Sequence, residues 1–218
     1  MFVGCIAVLF KYCSSVFYHR LHLVKHQTLI GKVERLININ ISRSYRTIPA
    51  IVASVIAGMR PLRSDVLTRS IRWLIDHNFE VSEWFDVLPY KRAIDDENRI
   101  RRHKYVRRTR IFTRMELDFE RNALAMSHWQ ELWDLRSSEA SESSSVCWLR
   151  KLIPTVSERF YASFVPNYFT SQMLSGHGCF NAYLYRFKRR RFPACGCGTP
   201  FQTAEHVIFD CGKFKEIR

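Results

Sequence analysis

The sequence predicts a mainly α protein that ends in a small Cys-Cys-His-Cys zinc knuckle, and three observations predict it. Apolar residues recur at helical spacing through much of the first 134 positions. A Ser/Glu-rich stretch, SSEASESSS at Ser137–Ser145, then interrupts the chain. Beyond it the composition turns aromatic and turn-rich, and Cys195, Cys197, His206 and Cys211 fall close together with the spacing Cys-x-Cys-x8-His-x4-Cys.

The elements follow in order. Met1–Phe10 is almost wholly apolar, but Lys11 interrupts it at half the ~20 residues a membrane helix needs. It has neither the basic start nor the small-residue cleavage site of a signal peptide, so a buried strand or helix is expected. Between about Leu29 and Asn78 the pattern is helical. Ile48, Ile51, Val52, Val55, Ile56 and Met59 follow the i, i+3, i+4, i+7 rule, with Thr47 expected as the N-cap, Pro49 in the first turn and Gly58 and Pro61 at the end. A second helix is expected to carry Val66, Leu67, Ile71, Leu74 and Ile75. Phe79–Tyr90 reads as a connector.

From about Ala93 to Asp134 one long helix, or two in line, is predicted. Phe112, Met115, Phe119, Ala123, Met126, Trp129 and Trp133 form its apolar stripe. Its first half is a basic surface: Arg99, Arg101, Arg102, Lys104, Arg107, Arg108 and Arg110, with Tyr105 among them. Such a run without an interleaved acid exceeds what solvation of a helix face requires, and it points to phosphate contact. The Ser/Glu stretch cannot bury enough apolar surface to order itself and is expected as a flexible linker. The predicted organisation is an unassigned apolar N-terminus (1–33), a helical region with the long basic helix (34–136), the linker (137–146) and a C-terminal knuckle region (147–218).

Charge narrows the partners. Thirty-four Lys and Arg against twenty Asp and Glu give +14, and nucleic acid is the commonest polyanion such a chain meets. Three of the seven cysteines cluster with a histidine, a pattern that suits metal binding in a reducing compartment, nuclear or cytoplasmic, better than a disulfide framework.

Three thiolates and an imidazole complete the shell of a structural zinc site, leaving no open position for catalysis. Gly196 and Gly198 let the backbone bend around the ion, and His206 and Cys211 are placed to approach from a helix end. The His-x-Glu of the zinc deaminases is absent, since Glu205 precedes His206. Just before the first ligand, Arg186, Lys188, Arg189, Arg190 and Arg191 are flanked by Tyr185, Phe187 and Phe192. Cations for phosphates and rings for bases suit single-stranded nucleic acid, while a nuclear-localisation run would use the same residues. His177 and Cys179 invite a nucleophile reading. Two residues apart on a strand they would face opposite ways with no orienting third group, so packing or backbone contact is expected instead.

The string from Asn167 to Phe214 resembles the C-terminal end of non-LTR (LINE-type) retrotransposon reverse transcriptases, most closely those of ribosomal-DNA-inserting and jockey-like elements. The motifs are Leu-Ser-Gly-His-Gly-Cys-Phe at Leu174–Phe180 and Thr-Ala-Glu-His at Thr203–His206, the latter within the knuckle. Ser44–Leu62 is similar to the helical segment after the polymerase core, and Trp129–Asp134 and Arg150–Pro154 match further landmarks, so the likeness covers about Glu34 to Phe214. It implies a thumb- or linker-like helical region and a knuckle that grips element RNA or target DNA during target-primed reverse transcription, in company with the rest of a polyprotein and without a membrane. No aromatic-x-Asp-Asp hairpin of the family's polymerase occurs. Asp95 and Asp96 sit in a polar setting and read as capping charge, so no catalytic residue is assigned, and a truncated fragment inactive by itself is expected. A domesticated zinc-knuckle interaction module is the alternative.

Overall fold

A computed structural model describes residues 8, 12–17, 20, 23–66, 69–70, 114–142 and 144–217. The basic residues Arg99, Arg101, Arg102, Lys104, Arg107, Arg108 and Arg110 lie outside the described residues. So do nearly all of the apolar start, the connector at Phe79–Tyr90, and Leu67, Ile71, Leu74 and Ile75.

Among the described residues the structure is helical and contains no strand. The elements are α1 (Ser14–Phe17), α2 (Val24–Ser42), α3 (Ala50–Ala57), α4 (Arg114–Ser138), α5 (Ser145–Leu152), α6 (Val156–Tyr161), α7 (Tyr168–Ser175) and α8 (Asn181–Arg186). A π turn at His206–Asp210 and a 3-10 turn at Gly212–Phe214 follow. No helix among the described residues is long and apolar enough to cross a membrane. The chain divides into two units, Met1–Glu34 with Arg60–Glu131, and Arg35–Met59 with Leu132–Arg218.

In the first unit Ile30, Leu62, Val66, Ala125, Met126 and Trp129 are buried. Polar contacts fasten them: the Arg60 guanidinium donates to Asn122 Oδ1 at 2.9 Å and pairs with Asp65 at 3.2 Å. Ser64 Oγ and His128 Nδ1 share a 2.6 Å hydrogen bond. Burial pushes the Glu34 carboxyl up to about 7, against the opposing bond from the Leu62 backbone.

The second unit is built around α3, which packs against α5, α6 and α7. Its sequence, AIVASVIA, carries no charge, and Val52, Ala53, Ser54, Val55 and Ile56 are all buried. A helix apolar on every side belongs in a core. Its end is a Schellman motif: Gly58 N–H bonds Val55 C=O and Met59 N–H bonds Ser54 C=O, with Gly58 at φ 67°. Arg159 of α6 completes this end. Its buried guanidinium donates to Ile56 C=O from Nε (3.1 Å) and Nη2 (2.6 Å), where the helix dipole favours a cation.

Two expectations change here. The residue at the start of α3 is Pro49, with no side-chain cap, and Thr47 reaches out of the helix to distant partners instead. In α4, Trp129 and Trp133 are fully buried and Met126 nearly so, but Ala123 is exposed, because the buried face runs through Ala125 rather than Ala123. Met115 and Phe119 are helical, and Phe112 lies outside the described residues. Within 137–146, Ser137 and Ser138 close α4, and Ser144 caps α5 by accepting the Cys147 N–H at 3.2 Å. Trp133 Nε1 donates to Ile153 C=O at 3.1 Å, which holds the end of α4 beside the end of α5.

Candidate metal centre

The four residues picked out by spacing converge. One ligand atom from each of Cys195, Cys197, His206 and Cys211 lies within 4.8 Å of the others, a group that could hold a metal ion. Cys195 and Cys211 approach to 3.7 Å between sulfurs, and Cys197 Sγ lies 3.2 Å from His206 Nε2. A disulfide needs about 2.05 Å, so the 3.7 Å pair is not one. It matches the ~3.8 Å edge of a tetrahedron with metal–sulfur bonds near 2.3 Å.

Local chemistry brings the ligands in. Gly198 N–H bonds Cys195 C=O at 3.0 Å and Cys195 N–H bonds Thr199 C=O at 2.9 Å, so the first two ligands ride a tight turn. Gly198 has φ 99°, a conformation that a side chain would strain. At Gly196 a Cβ would meet only the flexible end of Lys213, 2.6 Å from its Nζ, so glycine is not required there. His206 stands on the π turn, whose closing bond, Cys211 N–H to His206 C=O at 2.7 Å, swings the last cysteine onto the cluster. The fold thus uses a π turn where a helix end is expected from the sequence.

Cys195, His206 and Cys211 are buried and Cys197 is exposed. Hydrogen bonds from Thr199, first its hydroxyl and then its backbone, hold the Cys197 thiol down to about 6, with Cys195 and His206 adding to the effect. Burial pushes the Cys211 thiol up. A cluster with one thiol ready to ionise and another held in an apolar setting is one that a cation would resolve.

Gln202, which the spacing does not reveal, joins this centre to the helices. Its Nε2 donates to Cys195 Sγ at 3.6 Å and its Oε1 accepts from Asn181 N–H at 3.1 Å. Its backbone N–H bonds Pro193 C=O at 2.8 Å, and its C=O accepts from Ala182 N–H at 3.2 Å. Beneath, Ala204, Val207 and Ile208 pack on Trp148 and Phe180, with Phe209 edge-on to Trp148 at 6.1 Å. Trp148 Nε1 is satisfied by Met173 C=O at 2.8 Å. Lys151 and Glu205 pair across the surface at 2.8 Å.

From Gly176 onward the SGHGCF motif is a loop. Gly176 ends α7 at φ 68° against the Trp148 ring, and Gln172 Oε1 accepts from Cys179 N–H at 2.9 Å. The His177 ring stacks on Tyr183 at 4.6 Å, and its Nδ1 meets Thr47 Oγ1 at 3.2 Å. Burial, with Arg186 nearby, pushes this imidazole down to about 4.

Arg186, Lys188, Arg189, Arg190 and Arg191 are all exposed, on the turn that leaves α8 for the first ligand. Lys188 turns it with φ 55°, and Arg189 N–H bonds Leu184 C=O at 2.9 Å. Among the described residues none of the five is in an ion pair.

Fold and centre together define a mainly helical protein carrying a knuckle of three cysteines and a histidine. No family model and no solved structure matches the chain. It is 25% identical over 218 residues, 99% of its length, to a 115 kDa protein of the type-1 retrotransposable element R1DM of Drosophila melanogaster, of which it covers 19%. It is 35% identical over 98 residues, 44% of its length, to the retrovirus-related Pol polyprotein from type-1 retrotransposable element R1 4 of Nasonia vitripennis, of which it covers 23%. The chain thus spans about a fifth of the length of these relatives. Its homologues are polyproteins of non-LTR retrotransposons, in keeping with the resemblance carried by the SGHGCF and TAEH motifs.

Proposed function

We propose that this chain is a nucleic-acid-binding part of a retrotransposon RNA-directed DNA polymerase used in target-primed reverse transcription, and that its Cys3His cluster holds a structural zinc ion. The observation that carries this reading is the run of five exposed cations on the turn that leads directly into the metal ligands. Sulfur and imidazole donors suit zinc, whereas magnesium and calcium take oxygen. With four protein donors the ion would supply cross-linking between the 195–197 turn and the π turn, and no open coordination position.

The chain's own residues do the rest. Gln202 ties the first ligand to the start of α8, so the basic turn between them is anchored at both ends, with all five cations exposed. Phosphates of element RNA or target DNA are the counter-charge such a turn takes. Polymerisation is assigned to a longer protein, such as the relative of which this chain covers 19%, not to these residues.

The test is ionic strength. If about five phosphates are engaged by this turn, log K should fall with log salt at a slope near −3.5 on single strands and near −4.5 on duplex. An affinity that does not change with salt refutes the reading.

A further inference from the structure

Beside the basic turn lies a groove of about 670 Å³, within the size range of small-ligand sites. Its lining includes Thr47, His177, Tyr183, Tyr185, Arg186 and Phe201. Along it the aromatic rings are ordered. His177 stacks on Tyr183 at 4.6 Å and 29°, and Tyr183 meets Phe187 at 5.0 Å. Thr47 Oγ1 clamps the first two rungs, bonding Tyr183 Oη at 2.6 Å and His177 Nδ1 at 3.2 Å. Both rungs line the groove, and Phe187 carries the ladder out into the cationic turn, where its ring is 49% exposed.

The inner two rings are stacked and clamped, whereas Phe187 lies tilted by 54° against Tyr183 and stays half in water, free to meet a further flat ring. Tyr185 and Phe201 are exposed in the groove, and Phe192 beyond it is 67% exposed with the Arg191 guanidinium 5.6 Å from its centroid. Along the chain the exposed rings Tyr185, Phe187 and Phe192 are interleaved with the exposed cations Arg186 and Lys188–Arg191, while the groove itself also carries Glu142 and Glu205, the latter paired with Lys151. His177 is uncharged near neutrality, so the ladder presents rings rather than a buried cation.

We infer that the groove and the His177–Tyr183–Phe187 ladder bind unpaired bases of a single-stranded polynucleotide, whose phosphates run over Arg186 and Lys188–Arg191. The inference rests on the nucleic-acid reading above and narrows it from phosphate attraction to base stacking. Duplex keeps its bases stacked inside and cannot offer them to the ladder. A protein ligand would need acidic side chains for the track, whereas a single strand brings phosphates and flat bases together in every nucleotide.

The experiment compares a fluorescent 12-nucleotide single strand of mixed sequence with an abasic strand of equal length, both titrated with the full chain loaded with zinc. The phosphates are the same and only the bases differ. Each stacked base contributes about a 5- to 100-fold gain in affinity, so the base-bearing strand should bind at least 5-fold tighter. Phe187→Leu, which keeps an apolar side chain at a half-exposed site, should shrink that gap, whereas Arg189→Ala with Arg190→Ala should weaken both strands alike. Equal binding of the two strands by the native chain, or an undiminished gap in Phe187→Leu, overturns the stacking inference while leaving phosphate binding standing. Failure of the native chain to bind either strand overturns the nucleic-acid reading itself.

Discussion

Replacing Cys211 by serine is the most direct probe of the knuckle. Its sulfur is fully buried, 3.7 Å from Cys195 Sγ, and its backbone N–H closes the π turn that brings it onto the cluster, a bond that serine keeps. No neighbouring sulfur stands ready to replace it, since the remaining cysteines of the described residues lie outside the group. Structural zinc contributes about 10–16 kcal/mol of apparent binding energy in small fingers. Losing one donor of four removes on the order of a quarter of this, about 3–4 kcal/mol, which is a loss of roughly 10²–10³-fold in zinc affinity. The assay is competition for zinc against a chromophoric chelator, with metal content measured after gel filtration. Exposed Cys179→Ser is the control, since that thiol is outside the cluster, and it should retain stoichiometric metal. Equal zinc retention by Cys211→Ser and the native chain under the same chelator would refute the reasoning.

Three further predictions follow from particular contacts. Gly178→Ala would place a Cβ 2.2 Å from Gln172 Oε1 and 2.6 Å from its Cγ, on a buried side chain that already accepts the Cys179 N–H. We expect a loss of about 1–3 kcal/mol in urea unfolding, and a change under ~0.5 kcal/mol would show that the loop can open freely. Gln202→Leu removes the donor to Cys195 and the acceptor for Asn181, so zinc affinity should drop about 10–100-fold with all four ligands intact; unchanged affinity would make Gln202 a bystander. His128 is held down at about 4, against an ordinary 6.5, first by burial and then by Arg63. Because its folded value lies below the unfolded one, its contribution is whole above about pH 6.5 and is lost as the pH falls toward 4, by at most roughly 3 kcal/mol. Unfolding free energies of the native chain and His128→Gln should therefore converge on acidification, and parallel pH profiles would contradict this.

Much of this was legible where the information is local. The AIVASVIA run with its following glycine marks α3 and its end, because a charge-free helix and a left-handed terminus are encoded in consecutive residues. The convergence of the four residues was equally legible, since the turn that presents Cys195 and Cys197 and the π turn that presents His206 and Cys211 each span only a few positions. Thr47 was misread for the same reason: by local rules it is a cap, but its hydroxyl is taken by His177 and Tyr183, some 130 residues away in sequence. The close packing of Gly176 against Trp148 and of Gly178 against Gln172 was not legible, because no periodicity announces it.

What the sequence by itself determined is the chemistry: three thiols and an imidazole at workable spacing, a positive run beside them, and helices before the Ser/Glu stretch. These depend on covalent order and on interactions within a turn or two. Only the tertiary structure decided how the chemistry is mounted. Gln202 bridging a ligand to α8, Arg159 closing the end of α3, and the ring ladder clamped by Thr47 each join segments far apart in the chain. Such contacts arise from packing and from the need to satisfy buried polar groups, and residue order alone does not specify which distant partner will meet that need.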